Sequence, residues 1–439
     1  MADLKVSSEN LIPDATSLGP VSAPERVHLL DVLRGFALFG VLLGNVITYF
    51  SGGLFLSREQ QAQLPTAFVD TVTWHLYSFF VDSKFITIFA LLFGLGFAIQ
   101  LIRAEERGAR VVPVYARRLF ILFMIGMAHF FLLWFGDILW TYALMGFLLI
   151  LFRRRKPRTL LVSGVILFVV VPSLMLTMRW YAMAVLGMAP PSATAGPGLT
   201  FEQRAVAAFS EGSYLEVLSM NIEVFATLAL NPGFILLLSA ILGRFLLGFY
   251  AGRRRLLQDA EKHVPFFRKL LMWGLTLGFL GNGLAVLVSI LLQQKLVDRV
   301  SPWRLAADVF GQVGILMLSL AYIAAITLLF QRPGWRKRLS ALAPIGRMAL
   351  TNYLMQTLIC IFIFYSVGFG FGLMGKVGPT VCVGISVAIF GVQIIISRWW
   401  LSRFQFGPME WLWRSLTYGD FQPIRIQHPQ QAAPDPVAL

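Results

Sequence analysis

His129 and Asp137 lie eight residues apart in "GMAHFFLLWFGDILWTYALMG", residues 126–146, a stretch that is otherwise almost wholly apolar. An imidazole beside a carboxylate is the usual form of a general base. The carboxylate orients the ring and holds its proton on one nitrogen, leaving the other to accept a proton from a reacting group. Asp137 falls in "FGD", a link too short for anything but a tight hairpin. The helices on either side are then antiparallel neighbours, which brings Asp137 within reach of His129. The plainer alternative is a histidine hydrogen-bonding across helices, with Asp137 wetted at the surface. His75, in an outer segment with Asp70 and Asp82, is the rival base or a substrate-binding group.

Further polar residues sit where lipid would not tolerate them unless they face protein or a water-filled cavity. In "LLDVLRGFALFGVLLGNVITYF", residues 29–50, Asp31 and Arg34 are neighbours at i,i+3. Asn45 lies eleven residues beyond Arg34, roughly 16 Å along a helix. This reads as an anion-binding arginine at an inner mouth, with an amide deeper in that can donate to a developing oxyanion; a helix cap and an interhelical hydrogen bond are the structural alternative. Arg118 precedes His129 by the same eleven residues, and Arg347 marks another inner boundary. Arginine suits phosphate through paired hydrogen bonds, so Arg34, Arg118 and Arg347 are the expected cofactor-binding set, with Asp31 beside them. In "IGRMALTNYLMQT", residues 345–357, Asn352 and Gln356 share a helix face and are candidate substrate contacts. Lys84, opening the second span, would bind an anion at the outer mouth or snorkel.

The elements that must position these groups are membrane helices. The chain of 439 residues is 57% hydrophobic and only 13% charged, against about 45–50% and about 25% in soluble proteins. Its long apolar runs match the roughly 20 residues that cross a bilayer. The expected fold is all-α: a polytopic integral membrane protein of about ten transmembrane helices, near 33–51, 84–102, 118–135, 137–152, 159–186, 233–252, 270–292, 306–330, 348–371 and 379–397. The net charge of +15 sits between these runs, as in "RRRKPR" at 153–158 and "GRRR" at 252–255. Ten spans place every arginine-rich loop on one side, so both termini are expected in the cytoplasm. The basic charge is thereby accounted for, and nucleic-acid binding is not expected.

The expected organisation is a disordered tail at 1–28, a helical bundle at 29–400 with outer segments at 52–83 and 187–232, an interfacial amphipathic helix at 401–419, and a disordered tail at 420–439. Residues 201–220 are expected to lie on the outer surface. Cys360 and Cys382 form no metal or redox pattern. No nucleotide loop or zinc pattern occurs, and no metal is expected.

Five stretches, "LDVLRGFALFGVLLGN", "KFITIFALLFGLG", "GMAHFFLLWFGDILWTYALMG", "GRMALTNYLMQT" and "GPMEWLWRSLTYG", run in this order across nearly the whole chain. In them the chain resembles the YeiB-like family of bacterial inner-membrane proteins, domain of unknown function 418. The first also resembles the opening helix of membrane acyltransferases of the glucosaminide N-acetyltransferase type, which have an arginine and an asparagine where this chain has Arg34 and Asn45. Their catalytic histidine follows the asparagine. The matching window here, "VITYFSGGLFL", has none, which passes the role of base to His129 or His75. The resemblance implies acyl transfer from cytoplasmic acyl-CoA, a co-substrate, to a hydroxyl or amine on an extracytoplasmic small molecule, glycan or lipid. The rival expectation is a transporter or lipid flippase for an anionic or amphipathic solute. Membrane lipids are expected partners in either case.

Overall fold

A computed structural model describes residues 27–64, 66–109, 111–185, 199–231, 233–294, 296–297 and 301–426. The expected tail before residue 27, the loop at 187–198 and the last residues from 427 lie outside the described residues. The helices are α1 (His28–Gly44), α2 (Arg58–Ala62), α3 (Ala67–Phe80), α4 (Lys84–Glu106), α5 (Val111–Leu132), α6 (Leu139–Leu151), α7 (Pro157–Val165), α8 (Val171–Val185) and α9 (Phe201–Ser210). They continue with α10 (Tyr214–Leu230), α11 (Gly233–Arg253), α12 (Val264–Gln293), α13 (Pro302–Phe330), α14 (Pro333–Leu339), α15 (Ala343–Arg347), α16 (Ala349–Phe364), α17 (Pro379–Leu401) and α18 (Pro408–Tyr418). Among the described residues the sole β pairing is one isolated bridge, Phe404 to Arg425. The fold is an all-α polytopic membrane bundle.

Among the described residues, eight helical segments are long and apolar enough to cross a membrane, or nine if a bent pair counts as one span. Two expected spans take a different form. The segment at 137–152 is a helix of 13 residues, about 20 Å long against a hydrocarbon layer of about 30 Å. The segment at 348–371 is α16, which meets the preceding helical stretch at 77°. The outer segment 52–83 is largely helical. Its α3 runs into α4 as an apolar stretch of 40 residues broken at Ser83, whose backbone is left-handed at φ 63°. At about 60 Å this stretch is too long for one crossing.

Lipid-facing chemistry explains the exterior. Met272, Trp273, Phe279 and Leu280 of α12 are exposed although large and apolar, as expected where the surrounding solvent is hydrocarbon. Helices that touch closely do so through glycine. A side chain at Gly94 or Gly248 would strike the backbone of Phe245 or Leu91, so α4 and α11 pack backbone to backbone. Gly346 of α15 meets the backbone of Asp31 in α1 in the same way, and Gly35 of α1 meets that of Leu342, just before α15.

Three expected boundaries move. His28 belongs to α1, its Nε2 3.0 Å from Ser340 Oγ. Residues 201–220 do not simply lie on the surface: Phe209 is fully buried and stacks on Phe135 and Tyr365, because its ring is removed from water only inside that aromatic cluster. The start of the expected C-terminal tail is pinned. Ile424 accepts a hydrogen bond from the backbone of Gln405, and Gln422 accepts one from Trp411 Nε1.

Candidate functional site

A cavity of about 320 Å³ opens at the end of the bundle that carries the basic loops. Its mouth is lined by Arg34, Arg103, Arg107, Arg118, Arg347 and Arg414. Asp31 Oδ1 accepts from Arg34 Nη1 at 2.9 Å. The Arg118 guanidinium lies 4.2 Å over the ring of Trp413, whose Nε1 donates to the Arg118 carbonyl at 2.9 Å. Helix α18 therefore forms one wall of the mouth, which explains its aromatic, amphipathic sequence. Further in, the lining turns apolar and aromatic with Leu38, Phe93, Leu122, Ile138, Tyr142 and Tyr353.

Glu410 fixes α18 to the bend before α16. Its Oε1 accepts from the backbone N–H groups of Leu350 and Thr351 at 2.6 and 3.1 Å, and its Oε2 accepts from Thr351 Oγ1 at 2.6 Å. A carboxylate is thus supplied from a separate helix to the unsatisfied N–H groups of a helix start. Burial pushes the Glu410 carboxyl above its ordinary value, against the pull of these hydrogen bonds.

The His129–Asp137 pair lies beyond the inner end of this cavity. The α5–α6 hairpin forms as its short link requires, and Asp137 caps α6 by accepting from Trp140 N at 3.2 Å. Its other oxygen lies 2.6 Å from His129 Nδ1 and 3.5 Å from the Tyr353 hydroxyl, which donates to it. The two side chains are 1% and 0% exposed, so Asp137 is not wetted at the surface. With the carboxylate ionised, Nδ1–H donates to it, and Nε2 then carries a lone pair. That Nε2 is buried and has no hydrogen-bond partner among the described residues. The imidazole is enclosed by the rings of Trp134 and Tyr353.

The cavity brings together Asp31, Arg34, Arg118 and Arg347 but leaves the other candidates off its wall. Neither His129 nor Asp137 lines it. Tyr353 and Ile138 stand between. Asn45 begins a π-helical turn, Asn45–Phe50, and does not line it either. Asn352 and Gln356 point to α17: Asn352 Nδ2 donates to Ser397 Oγ at 3.0 Å and Gln356 Nε2 to Gln393 Oε1 at 2.8 Å. They are a polar ladder between two helices, while Gly346, Leu350 and Tyr353 present the cavity face of the same segment. Lys84 is buried, with Nζ donating to the Ser78 carbonyl at 2.7 Å. His75 is exposed on α3. Cys360 and Cys382 are free and buried. Tyr353, Trp413 and Glu410 were not singled out for their roles here. Tyr353 borders the polar stripe, one position from Asn352 and three from Gln356 on the same helix.

Fold and site define a class: a polytopic helical membrane protein with an arginine-rimmed cavity leading toward a buried imidazole–carboxylate pair. The chain belongs to the YeiB-like family of proteins of unknown function, DUF418. The family model matches residues 251–420. The Bacillus subtilis protein YxaH is 34% identical over 427 residues, a match covering 93% of this chain and 98% of that protein. Escherichia coli YeiB is 28% identical over 411 residues, covering 90% and 96%. Both relatives are described only as uncharacterised proteins.

Proposed function

We propose that this protein is an acyltransferase of the bacterial inner membrane, its basic face toward the cytoplasm, moving an acyl group from acyl-CoA to an extracytoplasmic hydroxyl or amine. The observation that carries the reading is the polarity gradient of the cavity, from arginines at the mouth to aromatic and aliphatic walls that end against the residues packed on His129–Asp137. Several guanidinium groups around one opening suit a ligand with several phosphates. The apolar interior suits an acyl chain and excludes water from a thioester. Arg34, Arg118 and Arg347 hold the phosphates. His129 Nε2 takes the proton of the acceptor as its oxygen or nitrogen attacks the thioester carbon. The carbon–sulfur bond breaks, and the proton passes from Nε2 to the departing thiolate. Asp137 keeps the imidazole in the tautomer this needs. Asn45 lies off the cavity wall, and no step is assigned to it. Tyr353 separates the cavity from the dyad, so its ring must move for the transfer.

That last feature favours a second reading, transport of an anionic amphiphile with the dyad as a proton relay. Two measurements on detergent-purified protein decide. Calorimetric titration with acyl-CoA is expected to show binding that Arg34→Ala weakens and His129→Ala retains. Release of free CoA thiol is expected from the wild type and not from His129→Ala. Absence of acyl-CoA binding by the folded wild type overturns acyl transfer and leaves transport.

A further inference from the structure

A second buried cation takes no part in the reading above. Arg244, in "SAILGRFLLGF", lies nine residues before Arg253 at the basic end of α11. That is about 14 Å along the helix, close to the middle of a hydrocarbon layer about 30 Å thick. Arg244 is 7% exposed. Its Nε donates to Thr87 Oγ1 at 2.8 Å, and the guanidinium lies 4.5 Å over the ring of Phe168. Thr87 Oγ1 spends its own hydrogen on the Ser83 carbonyl at 2.6 Å, so it faces Arg244 as a fixed acceptor. Among the described residues no carboxylate makes a contact ion pair with Arg244; Asp82 acts on it only at longer range. One of five N–H donors is engaged, while the plane of the group is set by the ring beneath it.

The surroundings are built to hold that plane. Phe168 sits in a π-helical turn, Ile166–Val170, an insertion of the kind that re-aims a side chain out of a regular helix. Gly243, beside Arg244, allows the backbone of Phe168 to approach α11, and a side chain there would strike it. Membrane-interior arginines ordinarily meet carboxylates or backbone carbonyls. This one is presented by a hydroxyl and a ring, with its paired terminal nitrogens uncommitted.

We propose that Arg244, held by Thr87 and Phe168, binds a singly charged phosphodiester-type oxyanion of an amphipathic ligand inside the bundle. One guanidinium balances one such charge, and its paired N–H groups match two oxygens of a tetrahedral oxyanion. The site is separate from the arginine-rimmed mouth and does not depend on acyl transfer.

The test uses the full chain in neutral detergent, with thermal unfolding followed as phosphatidylglycerol or inorganic phosphate is titrated in. Wild type, Arg244→Gln, Arg244→Lys, Thr87→Val and Arg34→Gln are compared. Phosphatidylglycerol is expected to raise the unfolding midpoint of wild type and Arg34→Gln alike. Half-saturation should rise about tenfold or more in Arg244→Gln, and by less in Thr87→Val and Arg244→Lys. If inorganic phosphate gives the same Arg244-dependent shift, the site stands and its ligand comes from solution rather than from the bilayer. Equal half-saturation in Arg244→Gln and wild type, or no shift of the wild type with either anion, overturns the proposal. Should Arg244→Gln fail to fold, Arg244→Lys and Thr87→Val, which preserve charge or volume, carry the same comparison.

Discussion

The mouth of the cavity and the His129–Asp137 pair are both built from charged side chains, yet they obey opposite electrostatics. At the mouth, six arginines share one opening, and Arg34 is about a third exposed even while paired to Asp31. Water and salt reach a group so exposed, and they screen its charge. The dyad is a single pair with no exposed surface to speak of. Inside, a carboxylate and an imidazole interact strongly, and the loss of either leaves the other stranded. A distributed charged surface tunes affinity, whereas a dry pair acts as a unit.

That contrast is open to attack in order of expected effect. His129→Ala should lower acyl transfer by about 100-fold to 10,000-fold, read as CoA thiol release. It also removes the hydrogen bond that Nδ1–H gives the Asp137 carboxylate, at a cost of about 1.5–3 kcal/mol. The double variant His129→Ala/Asp137→Asn should regain part of that stability and none of the activity; recovery of both would make the pair structural. Arg34→Gln should raise the KM for the acyl donor about tenfold with kcat nearly unchanged, the scale of one lost charge-assisted hydrogen bond. Added salt should weaken donor binding further, and a matching fall in kcat would erase the distinction between mouth and dyad.

Glu410 belongs to the latch between them. Glu410→Ala should cost about 1–2 kcal/mol, as for a lost helix cap, seen as a lower unfolding midpoint. Its pH dependence has a definite sign. The folded-state value is raised above the ordinary 4.5, so the folded protein binds more protons than the unfolded chain between those two values. Wild type should therefore lose stability relative to Glu410→Gln as pH rises from 4.5 through the raised value, and the difference should be constant above it. An opposite slope would mean that the hydrogen bonds outweigh burial. The smallest effect belongs to His75→Ala: the side chain is exposed on α3, and activity and stability should stay within experimental scatter.

Much of this site was legible before the fold was known, and particular residues show why. The short "FGD" link dictated a hairpin and put Asp137 within reach of His129, but whether the two meet or Asp137 turns to water was settled by burial, which encloses both side chains. Arg34, Arg118 and Arg347 lie at the basic ends of apolar runs, and the charge asymmetry places such ends together. Asn352 and Gln356 were correctly put on one helix face, but periodicity names a face and not the neighbour it meets. That neighbour is α17, with Gln393 and Ser397 waiting. Arg244 lies inside an apolar run, eleven residues from the start and nine from the end of α11, and a lone arginine at that depth of a membrane helix is itself a signal.

Hydropathy, charge placement and one tight turn are local properties of the chain, and they determined the membrane class, the helical fold and the hairpin that puts Asp137 within reach of His129. Tertiary packing decided the rest: which polar faces bound the cavity, that Tyr353 stands between cavity and dyad, that Glu410 caps a helix some 60 residues before it, and that Arg244 meets a hydroxyl and a ring instead of a carboxylate. These depend on which helices touch and at what rotation. In a membrane that choice is made by close backbone contacts at glycines and by a few interhelical hydrogen bonds, to which a pattern of apolar residues is blind.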